Sequence, residues 1–176
     1  MDVLDTMVSQ MQGGNFAGSA SAWVAADAPL WFFWTLQNLE KHISAKALWE
    51  RYGEAMKSVL EAYRRGFGEK VKMHANGLVW AAAHGEALTW MNTQVDGQPV
   101  AQRAGYAVEI QALWYNAVSY TLALARKYKD KAFVEAWSEM PEKTKASFNA
   151  MFPLKEGYLA DYIGEDNFVY HWDATE

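Results

Sequence analysis

The segment from Gly85 to Asn116 carries the side chains of this chain that are best suited to ligand chemistry. Trp90, Arg103 and Glu109 supply an aromatic ring, a guanidinium and a carboxylate, and a helix that is apolar almost all round begins near the end of the segment. Such a helix must be buried. Loops on the ends of buried helices commonly present binding and catalytic groups, because the scaffold fixes their ends. We therefore expect a functional site where this loop meets the helix.

Several other chemistries are poorly supported by the sequence. The four histidines, at positions 42, 74, 84 and 171, show no HExxH or other close metal-ligand spacing. The sequence has no phosphate-cradling glycine loop and no GxSxG elbow. It also has no cysteine, and so no disulfide, thiol nucleophile or thiolate metal site. We predict neither a metal nor another cofactor.

Three motifs carry a resemblance to a known family. TWM at Thr89–Met91, followed by VEIQALWYN at Val108–Asn116, resembles the glucosidase domain of bacterial and archaeal glycogen debranching enzymes, the amylo-α-1,6-glucosidases. ADAPLWFFW at Ala26–Trp34 and GYLADYIG at Gly157–Gly164 resemble flanking segments of that domain in the same order. The resemblance covers nearly the whole chain and implies a glucosidase-related function.

The resemblance places Asn92 where the family has an aspartate that acts as general acid. An amide cannot supply a proton at neutral pH, although Asn92 can still hydrogen-bond a glycosidic oxygen. Loss of acid catalysis alone is expected to lower the rate by about 10² to 10⁴. Glu86 and Asp96 are the nearby carboxylates that would have to replace it, and an unrelated loop position rarely reaches the proton to be transferred.

The resemblance also implies a set of substrate-binding residues, and each has an ordinary structural alternative. Asp27 either binds sugar hydroxyls or caps the first strong helix, which would contribute about 1 kcal/mol. Arg103 and Glu109 either bind substrate or form an ion pair that orders the loop. The remaining substrate-binding candidates are Trp90, Asn15 and Asn116, whereas Trp114 and Tyr115 are expected in the core.

The family reaction requires one carboxylic acid and a second carboxylate, which in an inverting enzyme lie about 6.5 to 9.5 Å apart. By the resemblance, the base is a glutamate downstream of Glu176, so we expect this chain to be part of the domain and to be inactive alone. The alternative is a catalytically silent carbohydrate-binding or helical interaction module derived from the same fold. The ligand in either case is an α-glucan or oligosaccharide.

Hydrophobic periodicity predicts an all-α fold of two helix hairpins separated by a long turn-rich loop. An inner helix that is apolar nearly all round is followed twice by an outer amphipathic helix, the second with a break near Pro141. The resemblance makes these hairpins part of an (α/α)6 barrel. Asn76-Gly77 and Asp96-Gly97 predict turns within the loop. The predicted single domain divides into an N-terminal segment at 1–26, hairpins at 27–68 and 106–152, the active-site loop at 69–105 and an irregular tail at 153–176.

Composition limits the partners of the chain. Acidic residues outnumber basic ones by 21 to 16, and aromatics make up 15% of the 176 residues, which favours a folded domain and disfavours nucleic-acid binding. No stretch has the length of a membrane span or the basic start of a secretory signal. We expect a cytoplasmic protein, and a homo-oligomer because an incomplete barrel would expose apolar helix faces.

Overall fold

The computed structural model describes residues 3–16 and 25–165, together with the backbone of 169–170. Segment 17–24, most of a predicted loop, and residues 166–168 and 171–176 of the predicted tail lie outside the described residues. The helices are α1 Val3–Ser9, α2 Ala28–Leu39, α3 Ala45–Arg65, α4 Val108–Lys127, α5 Lys131–Trp137 and α6 Met140–Met151. The strands are β1 Val71–Met73, β2 Val79–Ala81, β3 Gln94–Val95, β4 Gln98–Pro99, β5 Tyr106–Ala107, β6 Tyr162–Ile163 and β7 Val169–Tyr170.

Helix α3 confirms the predicted amphipathic pattern. The hydroxyl of Ser44 caps its start by accepting a hydrogen bond from the Ala47 N–H at 3.2 Å. The helix ends at Gly66, whose φ of 89° is a left-handed conformation that glycine adopts without steric cost. Residues spaced three and four apart, among them Leu48, Tyr52 and Tyr63, are buried, while the opposite face is charged and exposed. This helix therefore covers one side of the core.

Helices α2 and α4 pack against each other and run parallel. Gln37 and Asn116 exchange two amide hydrogen bonds of 2.9 and 3.1 Å, and the Tyr120 hydroxyl donates to Glu40 at 2.8 Å. Because the partners advance together along both helices, the two N-termini lie at the same end of the pair. Asp27, which precedes α2, and Glu109, in the first turn of α4, are thus brought to one edge.

The expectation of an all-α fold is wrong, because the described residues also form three small antiparallel sheets. The hairpin of β1 and β2 turns at the predicted Asn76-Gly77 pair. The hairpin of β3 and β4 turns at Asp96-Gly97, where φ values of 50° and 76° are those of a type I′ turn. The strands of these two hairpins are short extended segments on either side of a glycine-containing turn. They lie in the part of the sequence that has no helical periodicity.

The region after α4 has both a confirmed and an unexpected feature. The predicted outer helix is interrupted near Pro141 as expected, giving α5 and α6. The tail, which we predicted to be irregular, returns to the body of the protein, since β6 pairs with β5 in the register Tyr106 to Ile163. The ends of the loop 82–105 are joined by two backbone hydrogen bonds of 3.0 and 2.9 Å between Ala81 and Gly105. The closed (α/α)6 barrel implied by the resemblance stays a prediction.

The sequence predicted two inner helices that are buried all round, and this prediction is wrong. On α2, Phe32, Phe33 and Leu36 are buried, but Trp31 and Trp34 are 48% and 54% exposed. On α4, Trp114 is fully buried and Tyr115 is exposed. Within the described residues, no helix is both long enough and apolar enough to cross a membrane.

Candidate functional site

The site is built at the N-terminal ends of the parallel helices α2 and α4. Asp27 immediately precedes α2, and Glu109 lies in the first turn of α4. Burial raises the pKa of Asp27 above its ordinary value of 3.8, and the negative charge of Glu109 adds to the rise. Hydrogen bonds from the backbone at Asp27 and Ala28 and from the Trp31 side chain oppose the rise. Asp27 and a carboxylate that raises its pKa therefore lie at one edge of the fold.

Arg103 holds the carboxylates of two distant segments together. Its guanidinium donates to both oxygens of Glu109 at 2.6 and 2.7 Å and to both oxygens of Asp161 at 2.7 and 2.8 Å. A weaker contact of 3.3 Å reaches the Thr89 hydroxyl. Burial alone would lower the pKa of Arg103, but the hydrogen bonds and charges of these carboxylates raise it above its ordinary range. The ion-pair alternative for Arg103 and Glu109 is therefore present in the structure.

We use the name acidic cluster for Asp27, Glu109, Asp161 and Arg103. The side chain of Arg103 is only 4% exposed, and its φ of 44° is a left-handed conformation that is strained for a residue with a side chain. All of its strong contacts are made to protein carboxylates. Its geometry suits a residue that positions Glu109 more than one that contacts a ligand directly.

Trp90 lies on an anchored part of the loop, next in the chain to a residue that contacts the acidic cluster. The Ala26 N–H donates to the Leu88 carbonyl at 2.7 Å, which ties the loop to the start of α2. Thr89, the next residue, is the hydroxyl that Arg103 contacts. Trp90 follows with 63% of its surface exposed. Its ring is therefore available to a ligand while the backbone on its N-terminal side is fixed.

Asn92 is exposed in the same loop, just before the β3–β4 hairpin. Its N–H donates to the Trp90 carbonyl at 3.0 Å, so the chain turns sharply between the two residues. The carboxylates considered as replacement acids are placed elsewhere: Glu86 forms an ion pair with Lys70 at 2.6 Å, and Asp96 lies at the tip of the hairpin. Within the part of the chain that the structure describes, neither carboxylate has a hydrogen bond or ion pair to the acidic cluster.

The other predicted site residues have different environments. Asn116, a predicted substrate-binding residue, pairs with Gln37 between α2 and α4. Asn15 closes a tight turn with Gln12 through backbone hydrogen bonds of 2.9 and 3.0 Å. Among the described residues, it makes no hydrogen bond to the acidic cluster. Trp114 is a core residue as expected, donating to the Gly77 carbonyl at 3.0 Å, whereas Tyr115 is 37% exposed. The expectation that Tyr115 is buried was wrong.

Asp161 was missing from the predicted site. It lies in the GYLADYIG segment that contributed to the resemblance, so that motif was the available signal. Besides its ion pair, its carbonyl accepts the Val108 N–H at 2.9 Å, next to the first turn of α4. The tail thus supplies both a charge and a backbone contact to the acidic cluster. Only the tertiary contact reveals this role.

Comparison with protein families shows to which family the chain belongs. The amylo-alpha-1,6-glucosidase family matches residues 11–171, which is nearly the whole chain. The chain belongs to the amylo-alpha-1,6-glucosidase family. A comparison with curated proteins finds no match. Family membership agrees with the resemblance carried by the TWM, VEIQALWYN and ADAPLWFFW motifs.

The acidic cluster of this amylo-alpha-1,6-glucosidase family member has the groups that recognise hydroxyls. Carboxylate oxygens accept hydrogen bonds from O–H groups, and exposed indole rings pack against apolar faces of ligands. Asp27 is only partly buried and has no ion pair among the described contacts, so it is the carboxylate best placed to accept from a ligand. Over the described part of the chain, no group of three potential ligand residues could hold a metal ion.

Proposed function

We propose that this chain forms the acidic, glucan-binding part of an amylo-α-1,6-glucosidase-type site and binds α-glucans without cleaving them by itself. The observation that carries the proposal is the acidic cluster at the paired helix N-termini, with exposed Trp31 and Trp90 close to it in the chain. Asp27 accepts hydrogen bonds from hydroxyls of a glucosyl unit. Arg103 holds Glu109 in place beside it.

The absence of hydrolysis follows from the residue at position 92. Glucosidic cleavage requires an acid that protonates the leaving oxygen, and the amide of Asn92 has no such proton to give at neutral pH. The amide is nearly the size of a carboxyl group, so binding of the glycosidic oxygen survives. An inverting mechanism remains an expectation for the family site, in which a second carboxylate would activate water.

A binding assay with a matched pair of variants tests this function. Panose, a trisaccharide with one α-1,6 bond, should quench tryptophan emission saturably and release no glucose. Asp27→Asn should weaken binding about 10-fold or more, because a hydrogen bond to a charged group is lost. Asp96→Asn makes the same chemical change at the hairpin tip and should leave affinity unchanged. Absence of saturable quenching, or glucose release by the unaltered chain, would contradict the proposal.

Self-association is a separate part of the proposed function. Trp34 on α2 and Tyr115 on α4 are exposed apolar side chains, which supports the expected homo-oligomer. Sedimentation equilibrium should show association that weakens in a Trp34→Gln variant. A monomer over the whole concentration range would refute it.

A further inference from the structure

Tyr63 is a fully buried tyrosine of α3 that lies against the start of α2. Its hydroxyl donates to the Ala26 carbonyl at 2.7 Å. Ala26 is fully buried as well, so bulk water cannot compete for this carbonyl. A polar group from a different helix therefore ends one residue before Asp27, the carboxylate of the acidic cluster that has no ion pair among the described contacts.

The position of the Tyr63 hydroxyl is set by the packing of its ring. The ring lies edge-on to Phe67, with centroids 5.0 Å apart, and is tilted against Trp114 at 5.5 Å. Trp114 is itself fully buried, and its indole N–H donates to the Gly77 carbonyl. Side chains that interdigitate in a core occupy rotamer minima. The hydroxyl therefore meets Ala26 from a fixed direction.

The Ala26 carbonyl belongs to the same peptide unit as the Asp27 N–H. A peptide unit is planar, so a contact that fixes the carbonyl also fixes the direction of the N–H. That N–H is one of the groups that hydrogen-bond the Asp27 carboxylate and oppose the rise in its pKa. Hydrogen bonds in a chain strengthen one another by about 10 to 30% per bond. The Tyr63 hydroxyl, the peptide and the carboxylate thus form one hydrogen-bonded chain.

The peptide unit on the other side of Ala26 is also held. The Ala26 N–H donates to the Leu88 carbonyl at 2.7 Å. One flanking peptide unit is thus anchored to α3 and the other to the loop that carries Trp90. Because both planes are anchored, φ and ψ of Ala26 have little freedom, and the chain enters α2 in one orientation.

Electrostatic effects keep Tyr63 a hydrogen-bond donor. Burial raises the pKa of Tyr63 well above its ordinary value of 10.0, and the negative charge of Asp27 adds to the rise. The phenol therefore keeps its proton at neutral pH. Because the charge of Asp27 acts on Tyr63, the two side chains also lie within electrostatic reach of each other.

We infer that Tyr63 is a positioning residue of the acidic cluster, whose hydroxyl orients the Ala26–Asp27 peptide and so sets where the Asp27 carboxylate accepts a ligand. Tyr63 is fully buried and acts only through Asp27. The step from this orientation to ligand binding rests on the proposed function, whereas the orientation of the carboxylate does not.

The pKa of Asp27 tests this inference without a ligand. It can be followed by NMR in the full chain, from the carbon resonance of the side-chain carboxyl group, which is assigned by its absence in Asp27→Asn. Tyr63→Phe keeps the ring and removes the donor, so the contact from the Asp27 N–H weakens. The pKa of Asp27 should rise by roughly 0.1 to 0.7, which corresponds to 10 to 30% of a hydrogen bond to a charged group.

Tyr52→Phe is the matched control. Tyr52 lies on the same helix and is 1% exposed, and its hydroxyl donates to Asp5 of α1 at 3.1 Å. The control therefore removes a tertiary hydrogen bond of a buried tyrosine that runs to α1 and not to Ala26. It should leave the pKa of Asp27 unchanged. An equal rise in both variants would show a general loosening of the fold and overturn the inference.

Panose binding extends the test to a ligand. Tyr63→Phe should weaken binding by at most about 10-fold, which is the loss expected for Asp27→Asn, because Tyr63 acts through that carboxylate. The double variant should therefore bind panose no more weakly than Asp27→Asn alone. A further loss of affinity in the double variant would reveal an effect of Tyr63 that bypasses Asp27 and would contradict the inference.

The outcomes separate this inference from the proposed function. A rise in the pKa of Asp27 in Tyr63→Phe, absent from Tyr52→Phe, would support the positioning role even if the unaltered chain fails to bind panose, a failure that overturns the proposed function alone. An unchanged pKa of Asp27 in Tyr63→Phe would refute the positioning role even if panose binds and Asp27→Asn weakens that binding.

Discussion

Replacing Arg103 with methionine tests whether the acidic cluster is organised by one buried cation. Methionine fills much of the same volume but leaves Glu109 and Asp161 without their shared partner. The Arg103 side chain is 4% exposed and the two carboxylate side chains are 25% and 30% exposed. Removing one member of a buried ion pair costs about 3 to 5 kcal/mol. Because water reaches both carboxylates, we expect the lower end, about 3 kcal/mol.

Thermal and denaturant unfolding would measure the loss. For a domain of this size, about 3 kcal/mol corresponds to a fall in Tm of roughly 6 to 12 °C. Arg103→Lys retains the charge but cannot make two bidentate contacts, so it should fall between the unaltered chain and Arg103→Met. A double-variant cycle with Glu109→Gln should give a coupling energy of about 0.5 to 3 kcal/mol.

Arg126→Met is the matched control, because Arg126 is exposed in the last turn of α4. The favourable interaction of a cation with a helix C-terminus is the main contribution lost there, so the cost should be below about 1 kcal/mol. If Arg103→Met costs no more than this control, the guanidinium does not organise the site. If the cycle shows no coupling to Glu109, the observed ion pair contributes nothing to folding.

Two further predictions concern the segment that anchors Asp27. Burial raises the pKa of Asp27, so the folded protein holds its proton more tightly than the unfolded chain, and stability is lost as pH rises through the folded pKa. Asp27→Asn should therefore raise the Tm at pH 7, and the difference in Tm between the variant and the unaltered chain should vanish below the ordinary pKa of 3.8. A variant with a lower Tm than the unaltered chain at pH 7 would contradict this prediction. Tyr63→Phe removes the hydroxyl that donates to the buried Ala26 carbonyl at 2.7 Å. This change should lower the free energy of unfolding by about 1 to 3 kcal/mol, measured from the shift in denaturant midpoint. Tyr115→Phe, at an exposed site, should cost less than about 0.5 kcal/mol.

The helices could be predicted because their signals are local. Hydrophobic spacing located α3, Pro141 located the break between α5 and α6, and Asp96-Gly97 located a hairpin turn. The pairing of β5 with β6 could not be predicted in this way. It joins Tyr106 to Ile163 through strands of two residues, which are too short to produce an alternating pattern.

The site was predictable in its composition but not in its arrangement. Motif resemblance selected Asp27, Arg103 and Glu109, and the structure relates all three at one end of α2 and α4. Asp161 was missed because its contact with Arg103 spans 58 positions. Sequence spacing also could not show that Arg103 is directed at protein carboxylates. That distinction depends on burial, which is a tertiary property.

The charge balance of the acidic cluster explains why a neutral polyhydroxyl ligand suits it. The acidic cluster has three carboxylates and one guanidinium, which pairs with Glu109 and Asp161 but not with Asp27. The N-termini of α2 and α4 each contribute roughly half a positive charge at the same edge. This positive charge falls short of the negative charge. The pKa of Asp27 is raised mainly by burial, and the charge of Glu109 adds to the rise. Hydroxyl groups that donate to Asp27 would stabilise its charged form without an added cation. The same parallel packing that assembles the cluster thus leaves Asp27 as the carboxylate with capacity to accept a ligand.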